Sequence, residues 1–85
     1  MKSFTYTIKD KTGIHARPAG FLSKLAKGFE SATVIEKDGK AVNASKLMML
    51  MSLGVKCGDT VNVTVDGSDE EIAFEKIKTF FEENL

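Results

Sequence analysis

The 85-residue chain contains 42% hydrophobic and 28% charged residues, and its 12 basic side chains balance 12 acidic ones. A chain of this length supports one hydrophobic core, which predicts a single domain over residues 1–85. The zero net charge argues against nucleic-acid binding, because proteins that bind nucleic acids normally carry a basic excess.

The first predicted elements are a strand and a helix. Phe4, Tyr6 and Ile8 alternate with polar residues, which indicates a strand with one buried face. From residue 16 to 29 the apolar residues follow helical spacing instead, and this predicts a first amphipathic helix. Its predicted core stripe comprises Ala19, Leu22, Leu25, Ala26 and Phe29.

The middle of the chain predicts a hairpin and a short helix. The pair Asp38-Gly39 separates β-prone runs at 33–37 and 41–43, and such a pair favours a type I′ turn, which needs positive φ at both central residues. Residues 46–53 are dense in leucine and methionine and precede Gly54, so we expect a second helix with a glycine at its end.

The last two elements are a strand and a helix. Val61, Val63 and Val65 alternate with polar residues, which indicates a fourth strand. Residues 68–71 (SDEE) match a capping box that opens a third helix. The predicted apolar positions of that helix are Ile72, Ala73, Ile77, Phe80 and Phe81. The order β-α-β-β-α-β-α indicates an α+β fold of the split-βαβ kind, an antiparallel sheet with its helices on one face.

The stretch GIHARPAG, Gly13 to Gly20, contains the only histidine and the only proline of the chain. If the helix begins near Ala16, His15 lies at its N-terminus, where free N–H groups of Ala16 and Arg17 and the helix dipole favour an anion and disfavour a protonated imidazole. We expect a neutral, nucleophilic His15, with the Arg17 guanidinium suited to phosphate oxygens. On spacing alone, a surface histidine, a helix-initiating proline and a solvated arginine explain the motif as well.

GIHARPAG resembles the active-site signature of HPr, the histidine-containing phosphocarrier family of the bacterial phosphoenolpyruvate-dependent sugar phosphotransferase system. The similarity continues through VIEKDGKAVNASKLMMLMSLG to the final helix. It implies an open-faced β-sandwich with a four-stranded antiparallel sheet in the order 1-4-2-3, covered on one face by three helices. It also implies that His15 is phosphorylated by enzyme I, with Nδ1 as the attacking nitrogen, and passes the phosphate to sugar-specific IIA domains. Arg17 is then the phosphate-contacting arginine.

The second helix is apolar nearly all round, so part of it must be exposed. Exposed methionines adapt to several partners, as a carrier requires, although a small domain can also bury them. The resemblance places partner docking at Leu47, Met48 and Met51. Docking extends over residues of the first helix that lie off its core stripe: Arg17, Gly20, Phe21 and Lys24.

Two further readings of the function stay open at this point. Some relatives of the family lack the histidine and act by docking onto transcription factors. The presence of His15 argues against that function for this chain. A carrier of a nitrogen-linked phosphotransferase branch shares the histidine motif. For either carrier we expect a monomer with no cofactor. Cys57 has no partner at metal-ligand spacing, which argues against a metal site. The longest apolar run is far shorter than a membrane span, and we expect the protein in the cytoplasm.

One position departs from the family pattern. Many relatives carry lysine and then a regulatory serine at the start of the second helix, where a kinase phosphorylates the serine. In NASKL the order is reversed, with Ser45 before Lys46. We expect Ser45 to act as the N-cap of the helix, and we expect regulation by HPr kinase to be absent or much weakened.

Overall fold

The computed structural model describes all 85 residues and contains one four-stranded antiparallel sheet. The order of the strands is β1-β4-β2-β3, as the resemblance predicts. Their bounds are β1 Lys2–Thr7, β2 Ala32–Lys37, β3 Lys40–Asn43 and β4 Thr60–Asp66. The central strand β4 pairs with β1 through Tyr6 and Val61 and with β2 through Ile35 and Val63.

Three helices cover one face of the sheet, and their bounds are α1 Ala16–Lys27, α2 Leu47–Ser52 and α3 Glu70–Asn84. The core between helices and sheet contains alternate strand residues, such as Ile35, Val61 and Val63, all fully buried. Leu22 of α1 and Phe81 of α3 meet them from the helical side. Burial of alternate residues on one face is the packing that the period-2 pattern predicts.

The hairpin prediction is confirmed by the backbone at Asp38 and Gly39. Their φ angles are +51° and +82°, both in the left-handed region that a type I′ turn requires. Asp38 is the one residue other than glycine with a positive φ. The second helix also ends as expected, since Gly54 follows its last turn with φ +64°.

The predicted N-cap of α2 is wrong. Lys46 occupies that position and no side chain caps the helix. The Ser45 hydroxyl and backbone N–H instead both donate to Asn43 Oδ1, at 2.7 and 2.9 Å. An asparagine side chain often accepts a hydrogen bond from the backbone N–H two positions later. In this turn the Ser45 hydroxyl also bonds to the asparagine and is not available to cap the helix.

The capping box predicted at residues 68–71 is also wrong, because the N-cap side chain of α3 makes no capping hydrogen bond. Asp69 is the N-cap, and the Glu70 carboxylate accepts the backbone N–H of Gly67 at 3.2 Å. The Ser68 hydroxyl points elsewhere and donates to Glu30 Oε2 at 2.9 Å. Ser68 is therefore used to fasten the α1–β2 loop to the start of α3.

The buried face of α3 consists of Ala73, Ile77 and Phe81, so the inclusion of Ile72 in that face is wrong: its side chain is 56% exposed. Successive residues of a helix point about 100° apart, and α3 faces the sheet with the residue after Ile72. Phe74, which was not among the predicted apolar positions, packs toward the sheet. Its ring lies edge-on to that of Phe4, with the centroids 5.5 Å apart.

Candidate functional site

The loop before α1 is held against the segment that precedes β4. Gly13 has φ +69°, and a Cβ added there would lie 2.4 Å from the carbonyl oxygen of Val55, so only glycine fits. The next N–H, that of Ile14, donates to the same oxygen at 3.1 Å, and the Ile14 side chain is buried. These contacts fix the backbone immediately before His15 while leaving the imidazole exposed.

His15 is the N-cap of α1, in an extended conformation with φ −105° and ψ −173°. Its carbonyl accepts the N–H of Ala19 at 2.9 Å, but its ring makes no capping hydrogen bond. The N–H groups of Ala16 and Arg17 donate to no protein acceptor, and Pro18 has no N–H. The start of α1 therefore presents two unpaired donors and the positive end of the helix dipole beside a free imidazole.

A shallow depression of about 270 Å³ surrounds the imidazole. Its lining residues are His15, Arg17, Pro18, Phe21 and Asn84. Arg17 is exposed and forms no ion pair, so its five N–H donors are available. An imidazole, a guanidinium and two backbone donors suit a tetrahedral anion such as a phosphoryl group.

Asn84 is the lining residue that the sequence pattern does not reveal. It comes from the end of α3, and its side-chain N–H donates to the carbonyl of Phe80 at 3.1 Å, which leaves Oδ1 free of protein partners. The neighbouring Leu85 carbonyl accepts the N–H groups of Lys9 and Asp10 at 2.6 and 2.8 Å. These bonds fasten the end of α3 to the loop that leads to His15, and only this tertiary contact brings Asn84 to the site.

Asp10 stiffens the same loop. The Thr12 hydroxyl and backbone N–H donate to its carboxylate at 2.6 and 3.1 Å, and these bonds hold the pKa of the Asp10 carboxyl below its usual value. The N–H of Gly13 adds a bond to the Asp10 carbonyl at 3.1 Å. The turn between β1 and His15 therefore does not depend on a partner for its shape.

The six residues expected to dock partners beside Arg17 lie on α1 and α2. The largest exposed fractions among them are 76% for Met48 and 56% for Phe21, while Leu47 and Met51 are 37% and 38% exposed. Lys24 is also exposed, and a side chain at Gly20 would meet no atom within 4 Å. We call the set Gly20, Phe21, Lys24, Leu47, Met48 and Met51 the α1–α2 surface.

The sequence prediction that α2 cannot bury all its apolar residues is confirmed, since Leu50 alone is buried. Ser23 of α1 joins the two helices through a hydrogen bond of 3.0 Å from its hydroxyl to the carbonyl of Ser45. Lys46 is exposed, whereas Ser45 is half-buried with its hydroxyl engaged by Asn43. The serine and the lysine are thus presented differently at the start of α2.

Other candidate groups remain apart from this site. Cys57 is an exposed free thiol whose sulfur lies 3.8 Å from the carbonyl oxygen of Lys9. No three histidine, cysteine, aspartate or glutamate side chains lie close enough together to hold a metal ion. None of the helices has the length and apolar character needed to cross a membrane.

The family model for the PTS HPr component phosphorylation site matches residues 2–83. The chain belongs to the HPr family. Phosphocarrier HPr of Mycoplasma genitalium is 41% identical to it over 85 residues, which cover 99% of this chain and 97% of that one. The HPr-like protein Crh of Halalkalibacterium halodurans is 45% identical over 75 residues, 88% of this chain and 89% of that protein.

The fold agrees with solved structures of the HPr family. HPr of Thermoanaerobacter tengcongensis superimposes with a TM-score of 0.92 at 44% identity, covering 98% of this chain and 93% of that one. A histidine-containing phosphocarrier protein of Mycoplasma superimposes with a TM-score of 0.93 at 34% identity, covering 96% and 93% of the two chains. Sequence and structure comparisons therefore both support assignment to the HPr family of phosphocarrier proteins, whose members are not catalysts.

Proposed function

We propose that His15 accepts a phosphoryl group from enzyme I and transfers it to sugar-specific IIA domains. The observation that carries the proposal is the exposed imidazole at the start of α1, beside two unpaired backbone N–H groups and the unpaired guanidinium of Arg17. Membership of the HPr family supports the same assignment.

The transfer uses the imidazole as a nucleophile. The lone pair of His15 Nδ1 attacks phosphorus, an N–P bond forms, and the bond between phosphorus and the donor breaks, with its electron pair returning to the donor. The negative oxygens then lie near the N–H groups of Ala16 and Arg17, where the helix dipole stabilises them. The Arg17 guanidinium adds charge-assisted hydrogen bonds. Transfer to a IIA domain repeats the exchange in reverse, with the protein as donor.

The α1–α2 surface is the docking face in this proposal. It is apolar around Phe21, Leu47, Met48 and Met51, and Lys24 gives it a positive rim. Flexible methionine side chains repack against different partners at small cost, which suits a carrier that must bind enzyme I and several acceptors. The surface adjoins the depression through Phe21, which lines both.

The relay is tested by a phosphate chase. The protein is incubated with phosphoenolpyruvate, magnesium and enzyme I, purified from them, and then mixed with a candidate IIA domain while the intact mass of both proteins is followed. We expect the carrier to lose its phosphate as the IIA domain gains one. Stable retention of the phosphate against every IIA domain of the same cell would contradict the acceptor half of the proposal.

A second candidate function is regulatory docking without phosphotransfer. It is favoured by the relatives called HPr-like protein Crh, of which the Bacillus subtilis protein is 42% identical to this chain over 78 residues and described as a catabolite repression protein. The partner would be a transcriptional regulator that binds through the same surface. His15 favours the carrier. The phosphate chase distinguishes the carrier from the regulator, because a purely regulatory protein would gain no phosphate from enzyme I.

A carrier of a nitrogen-linked branch would differ from a sugar carrier in which IIA domain accepts the phosphate.

We further propose that the protein works as a cytoplasmic monomer. The apolar residues left exposed are concentrated on the α1–α2 surface, and a transient partner would cover them in turn. HPr of Thermoanaerobacter tengcongensis, 44% identical, has been crystallised as a dimer, so the oligomeric state needs a direct measurement. Light scattering across a range of concentrations should give the mass of one chain, and a constant dimer mass would contradict the proposal.

A further inference from the structure

Three of the four methionines of the chain lie within the six residues of α2. Met48, Met49 and Met51 are 76%, 50% and 38% exposed, so each side chain meets the solvent. The buried contact of the helix is made by Leu50 alone, which is 1% exposed. The helix therefore presents three methionine side chains to the solvent, while an aliphatic side chain holds it to the core.

We propose that α2 is a site of reversible methionine oxidation, with Met48 the first of its three methionines to react. A hydroperoxide transfers one oxygen atom to the thioether sulfur, which is oxidised to a sulfoxide, while the peroxide is reduced to water or an alcohol. A thiol-dependent reductase reverses the step, forming one disulfide and one water as the sulfoxide returns to the thioether. Exposure sets the order of reaction as Met48, Met49 and then Met51.

Oxidation changes the surface without changing the fold. A sulfoxide is polar, and on an exposed side chain it costs the folded state little because water already surrounds the group. When the same sulfoxide is buried against an apolar partner surface, its oxygen loses its hydrogen bonds to water and finds no donor on the partner, which makes binding less favourable. This consequence rests on the proposed function, in which Met48 and Met51 belong to the docking surface. Oxidation should then weaken the binding of enzyme I while the melting temperature is nearly unchanged.

The first measurement follows the chemistry itself. The full chain carrying Cys57→Ser, which removes the exposed thiol as a second target, is treated with hydrogen peroxide and digested for peptide mass analysis at intervals. Met1 is the internal reference, because its exposed fraction equals that of Met48 at 76%. We expect Met48 to oxidise as fast as Met1, followed by Met49 and Met51. Slow or absent oxidation of α2 while Met1 reacts fully would overturn the proposal.

The second measurement follows the consequence. Treated protein is titrated with enzyme I, beside a variant in which Met48, Met49 and Met51 are leucine and a control with Met1→Leu. Leucine keeps the apolar volume but carries no sulfur. Peroxide should weaken binding of the parent protein and of the Met1→Leu control by about 5- to 100-fold, the equivalent of burying one unpaired polar group. Peroxide should leave the affinity of the leucine variant at the value measured for the same variant before treatment, and methionine sulfoxide reductase with a dithiol should restore the parent.

The outcomes separate this inference from the proposed function. Untreated protein that fails to bind enzyme I would contradict the proposed function, and the peptide masses would still decide whether α2 oxidises in the expected order. Normal binding before treatment and equal binding after full oxidation of Met48 would overturn the inference alone. Equal losses in the leucine variant and its parent would also overturn it, because the damage would then lie outside α2.

Discussion

Arg17 carries a full charge but takes no part in holding the fold. Its side chain is exposed and forms no ion pair. Arg17→Ala should therefore leave the melting temperature nearly unchanged while slowing phosphotransfer. A hydrogen bond to a charged group contributes about 1.5–3 kcal/mol, which corresponds to a rate loss of about 10- to 150-fold. Quench-flow transfer from enzyme I measures the loss, and a Lys40→Ala variant, whose exposed lysine begins β3 outside the α1–α2 surface, controls for the change in net charge. An unchanged rate in Arg17→Ala would remove the residue from the mechanism.

We predict that Ser45 is a poor substrate for a kinase that expects serine at the next position. Its hydroxyl donates to Asn43 Oδ1 and its side chain is half-buried, whereas Lys46, the N-cap of α2, is exposed. We predict that HPr kinase and ATP leave the wild-type chain largely unmodified. Exchanging the pair through Ser45→Lys and Lys46→Ser should restore an acid-stable phosphate, located by peptide mass. Rapid stoichiometric modification of wild-type Ser45 would show the prediction to be wrong.

At the scale of single residues, the sequence predicts the position of a side chain when residues close by in the chain determine that position. The location of His15 at a helix start follows from Gly13, Pro18 and the change of period near residue 16, which are all local signals. Asn84 reaches the same depression only because the end of α3 is bonded to the β1–α1 loop, and no local pattern reports that contact. The prediction that Ser45 caps α2 is wrong because the Ser45 hydroxyl donates to Asn43 Oδ1 instead.

Substitutions on the exposed surface of α2 should change the affinity for partners more than they change the stability of the fold. Met48 is 76% exposed, so Met48→Glu places a charge in water in the free protein but against an apolar partner in the complex. We expect affinity for enzyme I to fall by about tenfold or more. The melting temperature should fall by less than about 4 °C, as for other surface substitutions.

The matched control for this prediction is Ile72→Glu. Ile72 is also apolar and 56% exposed, but it lies on α3 outside the α1–α2 surface. Calorimetric titration of both variants should show weak binding for Met48→Glu alone. Equal affinities for the two variants would place Met48 outside the docking face.

The ends of the elements were harder to predict than the elements themselves. Periodicity predicts β1, α1, β4 and α3, because burial of one face imposes a period of 2 or 3.6 on the sequence. The turn signal of Asp38-Gly39 predicts β2 and β3, and the leucines and methionines before Gly54 predict α2. The predicted capping box at residues 68–71 does not form, because the Ser68 hydroxyl bonds to Glu30, a residue far away in the chain, and Asp69 becomes the N-cap. Ile72 was placed in the core because an apolar residue beside Ala73 gives no sign of which of the two faces the sheet.

At the scale of the whole molecule, Asp69 joins the α1–β2 loop to the start of α3. Its carboxylate accepts the Ser31 hydroxyl and the N–H groups of Glu30 and Ser31, and these bonds, the hydroxyl first, lower the pKa of the Asp69 carboxyl from its ordinary value of 3.8. A lowered pKa in the folded state means that the carboxylate stabilises the fold at neutral pH. This stabilisation begins to be lost as the pH falls toward 3.8 and is gone below the lowered value.

Asp69→Asn should therefore lower the free energy of unfolding at pH 7 and reduce its decline between about pH 5 and pH 2. Urea titrations at several pH values measure both effects. Glu82→Gln is the control, because Glu82 is exposed and accepts no hydrogen bond from the protein. Parallel pH curves for wild type and Asp69→Asn would show that Asp69 does not contribute to acid unfolding.

The strand order needed more than periodicity. The alternating segments predict four strands and one hairpin but do not say that β4 lies between β1 and β2. That order came from the resemblance around GIHARPAG and residues 34–54. It matters for the site, because the β4 side of the sheet brings Val55 against Gly13 and thereby fixes the loop before His15.

The identity of the phosphate acceptor tests the central claim most directly. Wild type and His15→Ala, both shown to be folded by their melting curves, are incubated with phosphoenolpyruvate, magnesium and catalytic enzyme I, and their intact masses are measured before and after brief acid treatment. We predict that wild type gains one phosphate that acid removes, as expected of a phosphohistidine, and that His15→Ala gains none. A phosphate that persists on His15→Ala, or a wild-type chain that stays unmodified beside an HPr that becomes phosphorylated, would contradict the account.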